Sequence, residues 1–120
     1  QKQAEKRSIV LNALIEVNIA GEQSKAGVSP DNAEQFYNTI CQNFPNINIC
    51  GLMCVMPLVK DKPDEKYYLQ LKSLYDKINM VSGGKLKYLS AGMSGDYITA
   101  IKFGANMIRL CSVLFGERKY

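Results

Sequence analysis

Ile47-Asn48-Ile49-Cys50-Gly51-Leu52-Met53-Cys54-Val55-Met56 is the stretch that decides the fold. It is apolar at almost every position, and Pro57 ends it. A strand with one wet face alternates polar and apolar residues, because successive side chains point to opposite faces. A run this apolar is covered on both faces, as the central strands of parallel sheets are. Parallel neighbours need long crossover connections, so helices should stand on either side.

They do. Upstream, Ser29-Pro30-Asp31 is a helix start: a Ser N-cap, Pro at the first helical position, then an acid at the positive end of the dipole. Ala33, Phe36, Tyr37, Ile40, Cys41 and Phe44 follow at helical spacing, and Pro45 stops the helix. Downstream, a helix starts near Pro63-Asp64-Glu65 and carries Tyr67, Leu71, Leu74, Tyr75 and Ile78 on one side. Ser82-Gly83-Gly84 makes the next turn.

Further strands flank these helices. Ile9 to Ile19 is β-rich, with Ile15, Val17 and Ile19 on one face and Glu16 and Asn18 on the other. Leu86 to Leu89 is a third strand, and Met107 to Cys111 a fourth. A short helix after Asp96 ends at Gly104, the residue expected at a left-handed C-terminal cap. Gln1 to Arg7 reads as the tail of a helix, and Gly21 to Val28 as a polar loop. Strands alternating with helices predict an α/β fold of parallel β/α units.

The composition agrees with one domain over residues 1–120, at 47% hydrophobic and 22% charged residues. The net charge is +4, but Lys60, Lys66, Lys72, Lys77, Lys85 and Lys87 are scattered among acids. That reads as a solvated surface, not a nucleic-acid stripe. The longest uncharged apolar stretch, Ile49 to Val59, is short of the ~20 residues of a membrane helix. The start at Gln1 is polar and has no apolar signal-peptide core, so a cytoplasmic protein is expected.

Cys41, Cys50, Cys54 and Cys111 sit in apolar contexts and are expected to be buried free thiols. Cys50 and Cys54, four apart on one strand, are expected to share a face. The chain has no histidine. That removes Ser-His-Asp and Cys-His mechanisms and makes a metal site unexpected.

Two places can carry chemistry. At Ser94-Gly95-Asp96 a strand turns sharply into a helix, and small residues there let backbone N–H groups reach an anion. The alternative is that Ser94 only caps the helix. Arg109 is a lone cation in an apolar strand and needs a partner. That partner is either an internal acid such as Glu16 or a ligand at the C-terminal end of the strand, where α/β barrels hold their sites.

Several motifs occur in order: Glu22-x-Ser24-Lys25-x-Gly27 after Glu16-Val17-Asn18, then Gly51-Leu52-Met53, then Leu89-Ser90-Ala91-Gly92-Met93-Ser94-Gly95-Asp96, and finally Arg109-Leu110-Cys111-Ser112-x-x-Phe115-Gly116-Glu117-Arg118. Together they cover essentially the whole chain, and the sequence resembles the pyridoxal-phosphate homeostasis proteins. The resemblance implies the alanine-racemase N-terminal-domain barrel and a site for pyridoxal 5′-phosphate (PLP). It implies that Ser94, beside Gly95, binds the phosphate, helped by backbone N–H groups around Cys111 and Ser112. It implies that Arg109 faces the pyridine nitrogen and keeps it unprotonated, which weakens the electron-sink chemistry of many PLP enzymes. The implied role is a non-catalytic carrier or regulator in vitamin B6 homeostasis.

The match covers only the second half of the family barrel. A (β/α)8 barrel takes ~250 residues, about 30 per unit, so the chain is expected to be the last four units, a half barrel. The strand bearing the Schiff-base lysine lies in the other half, so PLP would be held non-covalently and no catalytic residue is assigned. Lys25 and Lys60 read as solvated loop lysines. Cys111 stands where the family has Gly, and its side chain would crowd a phosphate. Ala91 replaces a Met, a tolerable packing change. Two alternatives stay open. One is a fragment of a PLP-dependent racemase or decarboxylase barrel. The other is a truncated module that pairs through its open sheet edges with itself or with the other half.

Overall fold

The structure, a computed structural model, describes residues 1–60 and 62–118. Its elements run α1 (Lys2–Arg7), β1 (Leu11–Glu16), α2 (Pro30–Asn43), β2 (Ile47–Met53), β3 (Leu58–Val59), β4 (Lys62–Pro63), α3 (Glu65–Val81), β5 (Tyr88–Ser90), α4 (Tyr97–Lys102) and α5 (Ser112–Phe115). β1, β2 and β5 form one parallel sheet in that order, while β3 and β4 make a small antiparallel hairpin. The order in space follows the order in sequence.

The expected fourth strand is reduced to a single parallel bridge between Ser90 and Met107. The Ala91 amide still bonds the Met107 carbonyl, and the Arg109 amide bonds the Gly92 carbonyl. The pairing stops because both partners turn. Gly92 takes φ +102°, and the chain enters α5 at Ser112. Gly92 has to be glycine, since a Cβ there would lie 2.8 Å from the Ala100 Cβ.

The core lies between the sheet and its helices. Ile15, Val17 and Ile19 from the first strand region meet Leu52, Cys54 and Met56, then Leu89 and Ala91. Ala33 and Tyr37 of α2, and Tyr68, Leu71, Leu74 and Ile78 of α3, cover that face. Phe36 and Cys41 of α2 turn outward and are exposed, so that face is narrower than its periodicity suggests. On α3 the fully buried tyrosine is Tyr68; Tyr67 and Tyr75 pack only partly.

A register shift corrects the cysteine expectation. Ala13 pairs with Ile49 but Leu14 pairs with Gly51, so Cys50 is an extra residue in β2. The bulge reverses the alternation. Ile49 lies on the core face before it, Leu52 and Cys54 after it. Cys50 is buried outside the core cluster with its Sγ 3.5 Å from the Ala13 carbonyl, so it does not share the face of Cys54. Cys41 and Cys111 are exposed, Cys41 on the outward face of α2 and Cys111 at the bend before α5.

Candidate functional site

The C-terminal ends of β2 and β5 open into a cleft of about 860 Å³. Cys54 to Met56 follow β2 into it, Gly92 to Asp96 follow β5, and Arg109, Cys111 and Ser112 close it. All five residues singled out from sequence, Ser94, Gly95, Arg109, Cys111 and Ser112, therefore line the same space. That is the end of a parallel sheet where α/β folds hold their ligands.

Ser94 does not cap α4, the helix that follows it. Asp96 is the N-cap residue of α4, and the Asp96 Oδ1 accepts the Met93 amide at 2.8 Å. Ser94 Oγ instead accepts two amides, those of Cys111 and Val113, each at 3.2 Å. It ties the loop after β5 to the loop before α5. A hydroxyl that accepts twice still has one proton to donate, and among the described residues nothing accepts it. Next to it, Gly95 is open: a Cβ there would meet only Leu58 Cδ1, at 3.7 Å.

Arg109 is exposed at the cleft, not buried in a strand, because the strand pairing ends beside it. Its Nη2 lies 3.8 Å from the Met53 sulfur, and it forms no ion pair with Glu16. The guanidinium is turned toward the end of β2. Lys25 pairs with Glu22 on its own loop at 3.3 Å, and Lys60 is exposed with φ 51° in the turn after β3.

Sequence reasoning missed the support behind the cleft. Tyr68 donates its hydroxyl to the Asp96 Oδ2, and Asp96 itself is buried. Burial, then the hydrogen bond to Asp96 and that carboxylate's charge, push the Tyr68 phenol well above its usual range. The Phe103 ring stacks on Tyr68 with centroids 5.8 Å apart. Cys54 lies in the floor, and burial raises its thiol to about 11, so it is not the reactive thiolate of this site. The signal for Tyr68 was its place three residues before Leu71 on the apolar face of α3.

Fold and cleft together define a parallel α/β protein with a cleft at the strand C-termini, lined by a serine hydroxyl and an arginine among others. The chain belongs to the family of the alanine racemase N-terminal domain, whose model matches residues 1–119. It is 40% identical to the pyridoxal phosphate homeostasis protein of Aquifex aeolicus, over all of this chain and 53% of that protein. With the protein of the same name from Helicobacter pylori the identity is 39%, over 98% of this chain and 51% of the relative. The chain thus spans about half the length of the curated relatives it matches. Among solved structures it resembles PipY of Synechococcus elongatus. The form without PLP gives a TM-score of 0.83 at 25% identity, over 96% of this chain and 54% of that one. The form with PLP bound gives 0.78 at 22% identity, over 96% and 53%, and that likeness carries the fold. No helix among the described residues is long and apolar enough to cross a membrane.

Proposed function

We propose that this chain holds PLP through the phosphate and the pyridine ring, without a covalent bond, as a carrier in vitamin B6 homeostasis. The observation that carries the reading is the Ser94 hydroxyl. It is fixed by two backbone amides and has a donor proton left for an anion. The residues fit the group. Gly95 leaves room beside Ser94, Ser112 adds a neighbouring backbone amide and hydroxyl, and Arg109 supplies a donor for a ring nitrogen. A bound PLP supplies an aldehyde and a ring that can withdraw electrons. An arginine donating to the ring nitrogen holds that nitrogen as an acceptor, which favours storage over catalysis. The Cys111 amide is engaged by Ser94 Oγ, so the Ser112 amide is the one left beside it for a phosphate.

On the same reading residues 1–120 are one domain, the last four units of a (β/α)8 barrel, working in the cytoplasm. The sequential parallel order and the relatives' double length support it. So does the open shape. The radius of gyration is 15.5 Å, against about 13.6 Å for a compact chain of this length.

Spectrophotometric titration with PLP tests the site. Losing a hydrogen bond to a charged group should weaken binding by roughly tenfold or more in Ser94→Ala. Arg109→Ala should weaken PLP and phosphate-free pyridoxal alike, while Ser94→Ala should spare pyridoxal. Equal binding by the three proteins would sink the assignment.

A further inference from the structure

Among the described residues Asp96 is the one buried carboxylate at the cleft, only 8% exposed, and it sits two residues from the hydroxyl that would meet an anion. A carboxylate there repels an anion unless its oxygens are engaged elsewhere. Both are. Oδ2 accepts the Tyr68 hydroxyl from α3, and Oδ1 accepts the Met93 amide of its own loop. Tyr68 is itself 2% exposed, held by the stacked Phe103 ring, and its hydroxyl has no solvent to compete for it. The Met93 amide precedes Ser94, so the same carboxylate that Tyr68 fixes also fixes the backbone leading into the anion-binding hydroxyl.

We propose that Tyr68 is a positioning residue for anion binding: it holds Asp96 on inward donors, so the loop presents Ser94 instead of a free carboxylate to the cleft. The inference rests on the reading that a phosphate sits at Ser94. Tyr68 touches no ligand itself. It acts from the helix behind the loop, and its effect is specific to charge. Without its hydroxyl, one oxygen of a buried carboxylate loses its donor, next to the place an anion must occupy.

The test is a set of titrations of the whole chain with PLP and with pyridoxal, which lacks the phosphate. Tyr68→Phe should weaken PLP by about tenfold and leave pyridoxal within about twofold. Adding Asp96→Asn keeps an acceptor for Met93 and removes the charge, so the double variant should regain most of the PLP affinity. A general loosening of the fold cannot give that pattern, and thermal unfolding of each variant checks the fold directly. Equal weakening of both ligands, or no rescue by Asp96→Asn, overturns the proposal. If Ser94→Ala loses PLP while Tyr68→Phe binds like the unaltered chain, the positioning role fails and the phosphate reading stands. If Ser94→Ala binds as well as the unaltered chain, the phosphate reading fails and takes the proposal with it.

Discussion

A methyl group on Gly51 would sit 2.0 Å from the Tyr88 carbonyl oxygen and 2.8 Å from its carbon. Both are backbone atoms of the neighbouring strand, so nothing there can rotate away. Gly51→Ala should destabilise the chain by about 3 kcal/mol, read as a lower denaturant midpoint. Gly83→Ala meets no atom within 4 Å and strains only its own φ of +72°, so its cost should stay near ~1 kcal/mol. Equal midpoints for the two variants would contradict the close approach. Ionisation acts at the same scale. The Cys54 thiol ordinarily titrates at 9.0 and is pushed up to about 11 by burial. Between those values the unfolded chain has lost the proton and the folded chain has kept it. Stability is therefore full below about pH 9 and falls as pH rises toward about 11. Tyr68, raised in the same direction, extends the loss upward. Urea unfolding from pH 8 to 11 should give a shallower decline in Cys54→Ala than in the unaltered chain, and parallel curves would refute the assignment. That Ser94 and Arg109 would lie at the strand C-termini was legible from the motifs. Partners were not: the contacts of Ser94 with Cys111 and Val113, or of Tyr68 with Asp96, join residues far apart in the chain.

At the scale of elements, the long helices were the readable part. α3 begins at an Asp64 cap that accepts the Lys66 amide at 3.1 Å, where the sequence puts its start. Its buried positions repeat at helical spacing because one face meets the sheet while the other meets water. Leu71→Ala removes a side chain 1% exposed and should cost ~2–5 kcal/mol, whereas Leu69→Ala, 56% exposed, should change stability by under about 0.5 kcal/mol. Thermal or denaturant melts of the pair check this, and similar losses would place α3 wrongly on the sheet. Strand limits were less legible. The run from Ile9 to Ile19 contracts to Leu11–Glu16, and the run from Leu86 to Leu89 moves to Tyr88–Ser90. Strand limits depend on where a neighbour stops pairing, and no window of sequence contains the neighbour. The bulge at Cys50 has the same origin: apolar residues fill both faces of β2, so no alternation betrays the extra one.

For the molecule as a whole, the sheet has two sides that pair unequally. β2 is flanked by β1 and β5, but among the described residues β1 has a neighbouring strand on one side only. Val28 joins the free side of β1 at its very end, through a bridge to Val17. The stretch before it carries Ile9, Val10 and Leu11, all exposed, beside backbone groups that have no partner strand among the described residues. On the far side, Met107 pairs by one bridge, and Val113, Leu114 and Phe115 beyond it are exposed. Water can satisfy the amides, but it cannot satisfy apolar side chains beside them, and such an edge recruits another strand. The 120-residue chain should therefore associate with itself in a concentration-dependent way, seen as a rising mass by light scattering. Val10→Lys puts a charge on the edge without touching the core, and it should shift the chain toward monomer while leaving its melting temperature within a few degrees. A chain that stays monomeric at every concentration, with or without the lysine, would mean that its own loops already cover these edges.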